Sequence, residues 1–201
     1  MKHQEIQKIT LSGMLLALAI ILPFLTGQIP EIGNMLCPMH FPIFICGLLC
    51  GYKYGLLVGF IAPILRSILF TMPTMYPVAI AMSFELAGYG LFSSLINNLL
   101  NKYFKHKIIN IYLSLIVSMI IGRIIWGSVM LAIVLFDVTN KITFTAFITS
   151  TVISSWPGIL LQILIIPPII IIIEKLKSKN RGNIWKYLFI IKLLGIISIF
   201  I

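Results

Sequence analysis

Residues 109–136 read INIYLSLIVSMIIGRIIWGSVMLAIVLF, an unbroken apolar run in which Arg123 is the one charge. Continued as a helix at 1.5 Å per residue, it reaches about 42 Å, beyond the ~30 Å of a bilayer's hydrocarbon. The rest of the chain is built alike. Of its 201 residues 60% are hydrophobic and 10% charged, and the mean hydropathy is +1.09. A soluble globule carries about 25% charged residues to face water, so this chain's solvent is largely lipid.

Further apolar stretches run over 10–28, 41–52, 55–70, 78–100 and 146–174, with a last one over 184–201. The reading is an all-α integral membrane protein: a six-transmembrane-helix bundle, one domain over 1–201, with an additional C-terminal apolar segment. Lys186 and Lys192 interrupt that segment, which makes it a helix lying in the inner interface or a seventh span. The second and third stretches, at about 18 and 24 Å, fall short of the hydrocarbon, so they extend into their flanks or are sheltered around a cavity. Lys2 and Lys8 before the first stretch imitate a signal peptide, but no small-x-small cleavage site follows, and a retained first helix is expected.

Charge orients the spans. Of the 15 lysines and arginines, Arg66 and Arg123 fall inside spans and Lys141 in an external loop. All the others, from Lys2, Lys8 and Lys53 through Lys102, Lys105 and Lys107 to Lys175 and beyond, fall on the side of the N-terminus. That is a positive-inside pattern with a cytoplasmic N-terminus in a cell membrane. The basic excess thus has a topological cause, suits anionic lipid headgroups and needs no nucleic-acid partner.

Other classes lose ground in turn. There is no GxxxxGK[ST] loop; the run from Gly47 to Lys53 has the wrong spacing. ATP-driven work would therefore need a partner. Cys37, Cys46 and Cys50, with His40 nearby, read as apolar thiols and not as a metal set. His3, His40 and His106 all fall in expected loops or termini, and paired intramembrane carboxylates are missing, so no enzyme and no cofactor is expected.

Three ionisable residues do fall within spans, where each needs a partner, a wet cavity or a route to the interface. Arg66 lies about 6 Å and Glu85 about 10 Å from the external ends of their segments, while Arg123 is central in its own. Two arrangements are open. Glu85 pairs with Arg123 while Arg66 reaches the surface, or a spare guanidinium receives an anionic group such as a substrate carboxylate. Arg123, Trp126 and Met130 share a helical face, as do Met82, Glu85 and Tyr89, which together make an apolar body with polar anchors. Gly13 and Ala17 form a small-xxx-small pair that suits close approach of another helix, inside or outside the bundle.

Residues 35–95 carry a resemblance. Leu36-Cys37-Pro38-Met39-His40-Phe41-Pro42 is followed by Gly51-Tyr52-Lys53-Tyr54-Gly55 and by Gly59-Phe60-Ile61-Ala62-Pro63-Ile64-Leu65-Arg66-Ser67. Met72-Pro73 with Tyr76-Pro77 comes next, then Met82-Ser83-Phe84-Glu85-Leu86-Ala87-Gly88-Tyr89-Gly90. As a set these resemble the substrate-binding S component of energy-coupling factor (ECF) vitamin transporters, in the branch associated with pantothenate. The resemblance implies six helices with both termini cytoplasmic, and an externally placed vitamin pocket closed by the first long loop. It also implies a membrane-coupling T subunit and two ATP-binding subunits as partners, met through Gly13 and Ala17. On that footing Arg66 and Arg123 anchor a carboxylate, Glu85 orients them, Tyr89 and Trp126 wall the pocket, and Asn34 and His40 belong to the lid. The external half of the last span adds Thr145, Thr149, Ser154 and Ser155, whose hydroxyls bond to their own helix or meet substrate hydroxyls or amides, and then Trp156, a further substrate-binding candidate. Pantothenate is the first expectation, with riboflavin, pyridoxine or a pyrimidine precursor as alternatives. A different class, the autonomous secondary carrier, is separated by whether partners and ATP are required.

Overall fold

A computed structural model describes residues 2–26, 35–136 and 156–179. They form six helices: α1 (Lys2–Ile21), α2 (His40–Cys50), α3 (Tyr52–Phe70), α4 (Ile80–Tyr103), α5 (Lys107–Phe136) and α6 (Trp156–Lys179). A 3₁₀ turn, Leu22–Thr26, continues α1, and a wide turn, Met75–Ala79, leads into α4. Asn34, the 184–201 segment and the residues Thr145, Thr149, Ser154 and Ser155 lie outside the described residues.

The all-α membrane bundle is present, with one difference in its spans. Among the described residues five helices are long and apolar enough to cross a membrane, and α2 is not. The short third stretch gained its flank and became the 19-residue α3. The second stayed at 11 residues, about 16 Å of helix. Its shortness is tolerable because α2 touches little lipid. It packs against α1, α3, α4 and α6, and His40, Ile43, Phe44, Ile45, Cys46 and Cys50 are all buried.

Gly51 alone joins α2 to α3. Its φ of 102° lies where a side chain is strained, so glycine allows the chain to reverse within one residue. Below that reversal α2, α3 and α4 meet backbone to backbone. A Cβ on Gly47 would stand 2.5 Å from the Gly90 carbonyl oxygen, and one on Gly55 2.6 Å from the same atom. In lipid there is no hydrophobic drive between helices, and such close approach supplies van der Waals contact instead. The outward faces stay apolar: Ile9, Leu57, Ile68, Leu99, Ile120 and Leu164 are exposed, as lipid-facing residues should be.

Two polar ties show how the helices run. Lys107 Nζ meets Glu174 Oε2 at 2.9 Å, joining the start of α5 to the end of α6. Arg66 Nη1 donates to the Ile20 carbonyl at 2.6 Å, joining the ends of α1 and α3 at the opposite face. Lys102, Lys105, Lys107 and Lys175 stand at the first face, at or beside the joined ends of α4, α5 and α6. At the other, the described residues 20–26, 35–39, 70–79 and 131–136 contain no charge.

Candidate functional site

Four helices bring polar side chains together in the half of the bundle away from the lysines. On α4, Glu85 and Tyr89 are one turn apart, and the Tyr89 hydroxyl donates to Glu85 Oε1 at 2.6 Å. From α5, Arg123 Nη1 approaches the same oxygen at 3.2 Å. From α2, His40 sets its ring edge-on to Tyr89 at 5.2 Å, and Phe44 stacks on Tyr89 at 4.8 Å. From α6, Gln162 Nε2 lies 3.4 Å from His40 Nδ1. Cys37, ahead of α2, sets its thiol beside the Arg123 guanidinium. Glu85 stands about 26 Å of helix from Lys102, deep in the apolar layer.

Local sequence explains the placement. Glu85 and Tyr89 share a face because four residues make about one helical turn. The Tyr89 ring fits because the facing residue on α5 is Gly122, whose missing side chain leaves the space that the ring fills. Arg123 follows directly, so α5 presents a slot and a cation side by side. A buried carboxylate is tolerable only when paired and hydrogen-bonded, and Glu85, 2% exposed, has both.

Charge in this cluster balances: Glu85 cancels Arg123. The Arg123 side chain is 23% exposed against 3% for Glu85, so the guanidinium is the more open member of the pair. Arg66 stands elsewhere. The α3–α4 contacts set Gly59 against Leu86 and Gly55 against Gly90, which puts Arg66 level with Ala79, about 9 Å along the axis from Glu85. There it holds Ile20's carbonyl and lies over the rings of Phe24 (5.1 Å) and Phe70 (5.8 Å). The two arginines are therefore apart, and Arg66 is buried at 4% exposure instead of reaching the surface.

The remaining expected residues divide. His40 is no loop residue: it begins α2 and is buried, because the apolar run starting at Phe41 draws its own first turn inward. Trp126 is half-buried, one turn beyond Arg123. Trp156, at the start of α6, is 59% exposed. Gly13 and Ala17 face outward, and a Cβ on Gly13 would meet nothing within 4 Å. The pair is thus on the bundle's surface.

Sequence reading passed over Phe44, Gln162, Gly122 and the thiol of Cys37 as site residues. Gln162 did carry a signal. It is the one amide in an otherwise apolar stretch of α6, and a polar group at that depth requires a partner as Arg123 does. Phe44 and Gly122 carried none, since each is ordinary until its neighbour across the interface is known.

Chemically the cluster offers guanidinium and amide donors, a carboxylate acceptor and two stacked aromatic faces, a set suited to holding a small polar molecule. The family model for the ECF transporter, substrate-specific component, matches residues 7–173. No curated protein and no solved structure matches the chain.

Proposed function

We propose that this chain, which belongs to the family of ECF transporter substrate-specific components, captures a small anionic vitamin in the Glu85–Arg123 cluster, with pantothenate the first candidate. Membership makes it a multi-pass membrane component for a vitamin-type small molecule, a transport role rather than an enzymatic one. In this family such a component works with a T subunit and ATP-binding subunits.

The observation carrying the substrate reading is Arg123. A guanidinium has five N–H donors in a fixed fork. Glu85 Oε1 engages one Nη, while the side chain stays partly open. The part of the fork that neither Glu85 nor the Cys37 thiol meets would suit a carboxylate held by two parallel hydrogen bonds. Tyr89 and Trp126 would wall the ligand, and His40 with Gln162 would meet its hydroxyl or amide groups. Asn34 would lie over the mouth and Trp156 at the rim. Arg66, occupied by Ile20, would act from outside the ligand's contacts.

The lysine-bearing face would be cytoplasmic by the positive-inside rule, with the N-terminus on that side and the cluster toward the exterior. Gly13 and Ala17, outward and uncrowded, would receive a helix of the T subunit.

One observation favours a second reading. Because Glu85 neutralises Arg123 and His40, Tyr89 and Phe44 present rings, a neutral ring vitamin such as riboflavin, pyridoxine or a pyrimidine precursor also suits the cluster. Calorimetric titration of the purified chain with these ligands and pantothenate separates the two. Pantothenate binding lost in Arg123→Gln supports the first; ring-vitamin binding indifferent to Arg123→Gln supports the second. Accumulation in proteoliposomes by the chain alone, unchanged by partners and ATP, would instead favour the autonomous carrier.

A further inference from the structure

Below the cluster, toward the lysine face, α4 and α5 are lined by polar residues at every turn. On α4 the series is Glu85, Tyr89, Ser93, Asn97, Asn101; on α5 it is Asn110, Ser114, Ser118, Gly122. Each steps by four residues, so each stays near one helical face. Two contacts pin the series to one another. The Tyr89 ring fills the space at Gly122, and Asn110 Nδ2 donates to Asn101 Oδ1 at 2.7 Å. Counting in fours from either contact along these antiparallel helices sets Ser118 opposite Ser93 and Ser114 opposite Asn97.

The hydrogen bonding of this seam is lopsided. Ser93, Ser114 and Ser118 are fully buried, and each gives its hydroxyl hydrogen to its own helix, to Gly90, Ile111 and Leu115 respectively. Their oxygens keep capacity to accept. Asn97, 9% exposed, has an amide oxygen with no donor at all. The Ser93 oxygen stands against Gly47 of α2, so the acceptors left in the seam are Asn97 Oδ1 and the oxygens of Ser114 and Ser118, whose hydrogens are already turned away. Buried polar atoms left so are rare, and a bound water is a usual remedy where two to four polar partners converge.

We propose that the α4–α5 seam holds internal water beside Asn97, donating to its Oδ1 and to hydroxyl oxygens of the facing serines. A lipid headgroup is too large for residues this buried, and water carries two donors in the smallest volume. Asn101, exposed at the lysine face about 6 Å of helix from Asn97, marks the entrance. The site is separate from the Glu85–Arg123 cluster, about 18 Å of helix away, and stands whether or not that cluster takes a vitamin.

Hydroxyl-radical labelling by X-ray radiolysis tests it, because bound water yields radicals beside buried side chains. The whole chain in nanodiscs serves, read by mass spectrometry. Ile111 and Leu115, both 0% exposed and within one turn of Ser114, should be modified at least about tenfold faster than Ile43, which is equally buried in the same core but stands on α2, outside the seam. Asn97→Leu should bring both down to the Ile43 rate while Tyr103, exposed at the lysine face, is unchanged; Asn97→Ser, which keeps an acceptor, should retain the labelling. Ile111 and Leu115 as inert as Ile43 in the parent chain would overturn the proposal without any variant. So would labelling that persists in Asn97→Leu.

Discussion

Tyr89 and Arg123 converge on a single oxygen, Glu85 Oε1, from 2.6 and 3.2 Å. Sharing has a consequence for the guanidinium. Oε1 takes the hydroxyl of its own helix and the guanidinium of α5 together, so the tyrosine shares the very atom that Arg123 approaches. The tyrosine thus governs how the arginine is presented, though it is placed by residues on two other helices, Phe44 and Gly122.

Removing the hydroxyl while keeping the ring tests that relationship. A hydrogen bond to a charged group contributes about 1.5–3 kcal/mol. Tyr89→Phe should therefore weaken binding of an anionic vitamin by roughly tenfold and lower thermal stability, since a buried carboxylate loses a donor. Calorimetry and thermal unfolding of the purified protein read both. An unchanged affinity would mean that Glu85 needs no such positioning.

Gly122 should behave as part of the same device. A methyl there collides with the Tyr89 ring, and overpacking costs about 1–3 kcal/mol. Gly122→Ala is expected to lower the melting temperature, and the loss should shrink when Tyr89 is shortened to Leu. A double-mutant cycle measures this coupling; simple additivity would show that ring and glycine do not act together.

The arginines should separate by phenotype. Arg66 bonds a carbonyl in the last turn of α1 and covers two rings, contacts worth about 1–3 kcal/mol together. Arg66→Gln should reduce stability and leave ligand affinity within about threefold of the parent, a range under 1 kcal/mol. Arg123→Gln should abolish anionic-vitamin binding, and by leaving Glu85 buried without its cation it should also destabilise by about 3–5 kcal/mol. Side-by-side titration and unfolding decide; an affinity loss in Arg66→Gln equal to that in Arg123→Gln would contradict the assignment.

On α1 the expectation concerns assembly. Because a Cβ at Gly13 meets nothing in the bundle, Gly13→Leu should fold and bind ligand as the parent does. Its bulk would still hold a neighbouring helix away, since close approach needs small residues. Co-purification with the T and ATP-binding subunits should fall at least tenfold. Undiminished recovery of the complex would move the docking surface elsewhere.

The solvent and the long apolar helices could be read from residue order, because hydropathy over 20 residues reports directly on the transfer of each segment into lipid. Of the six spans expected, five are long enough among the described residues and α2 is not; the isolation of Glu85 and Arg123 was equally legible, since their burial is costly wherever they point. The cluster did not follow. That α2 is short and interior, that His40 begins it instead of capping the pocket from a loop, and that Arg66 serves Ile20 are outcomes of helix rotation and register. These depend on close contacts such as Gly55 with Gly90 and Tyr89 with Gly122. A linear pattern does not fix them, because in lipid the outward face of a helix is apolar too and the inward stripe fades: on α5 the buried series Asn110, Ser114, Ser118 leads to Gly122, yet only the packed helices show that Tyr89 meets it there.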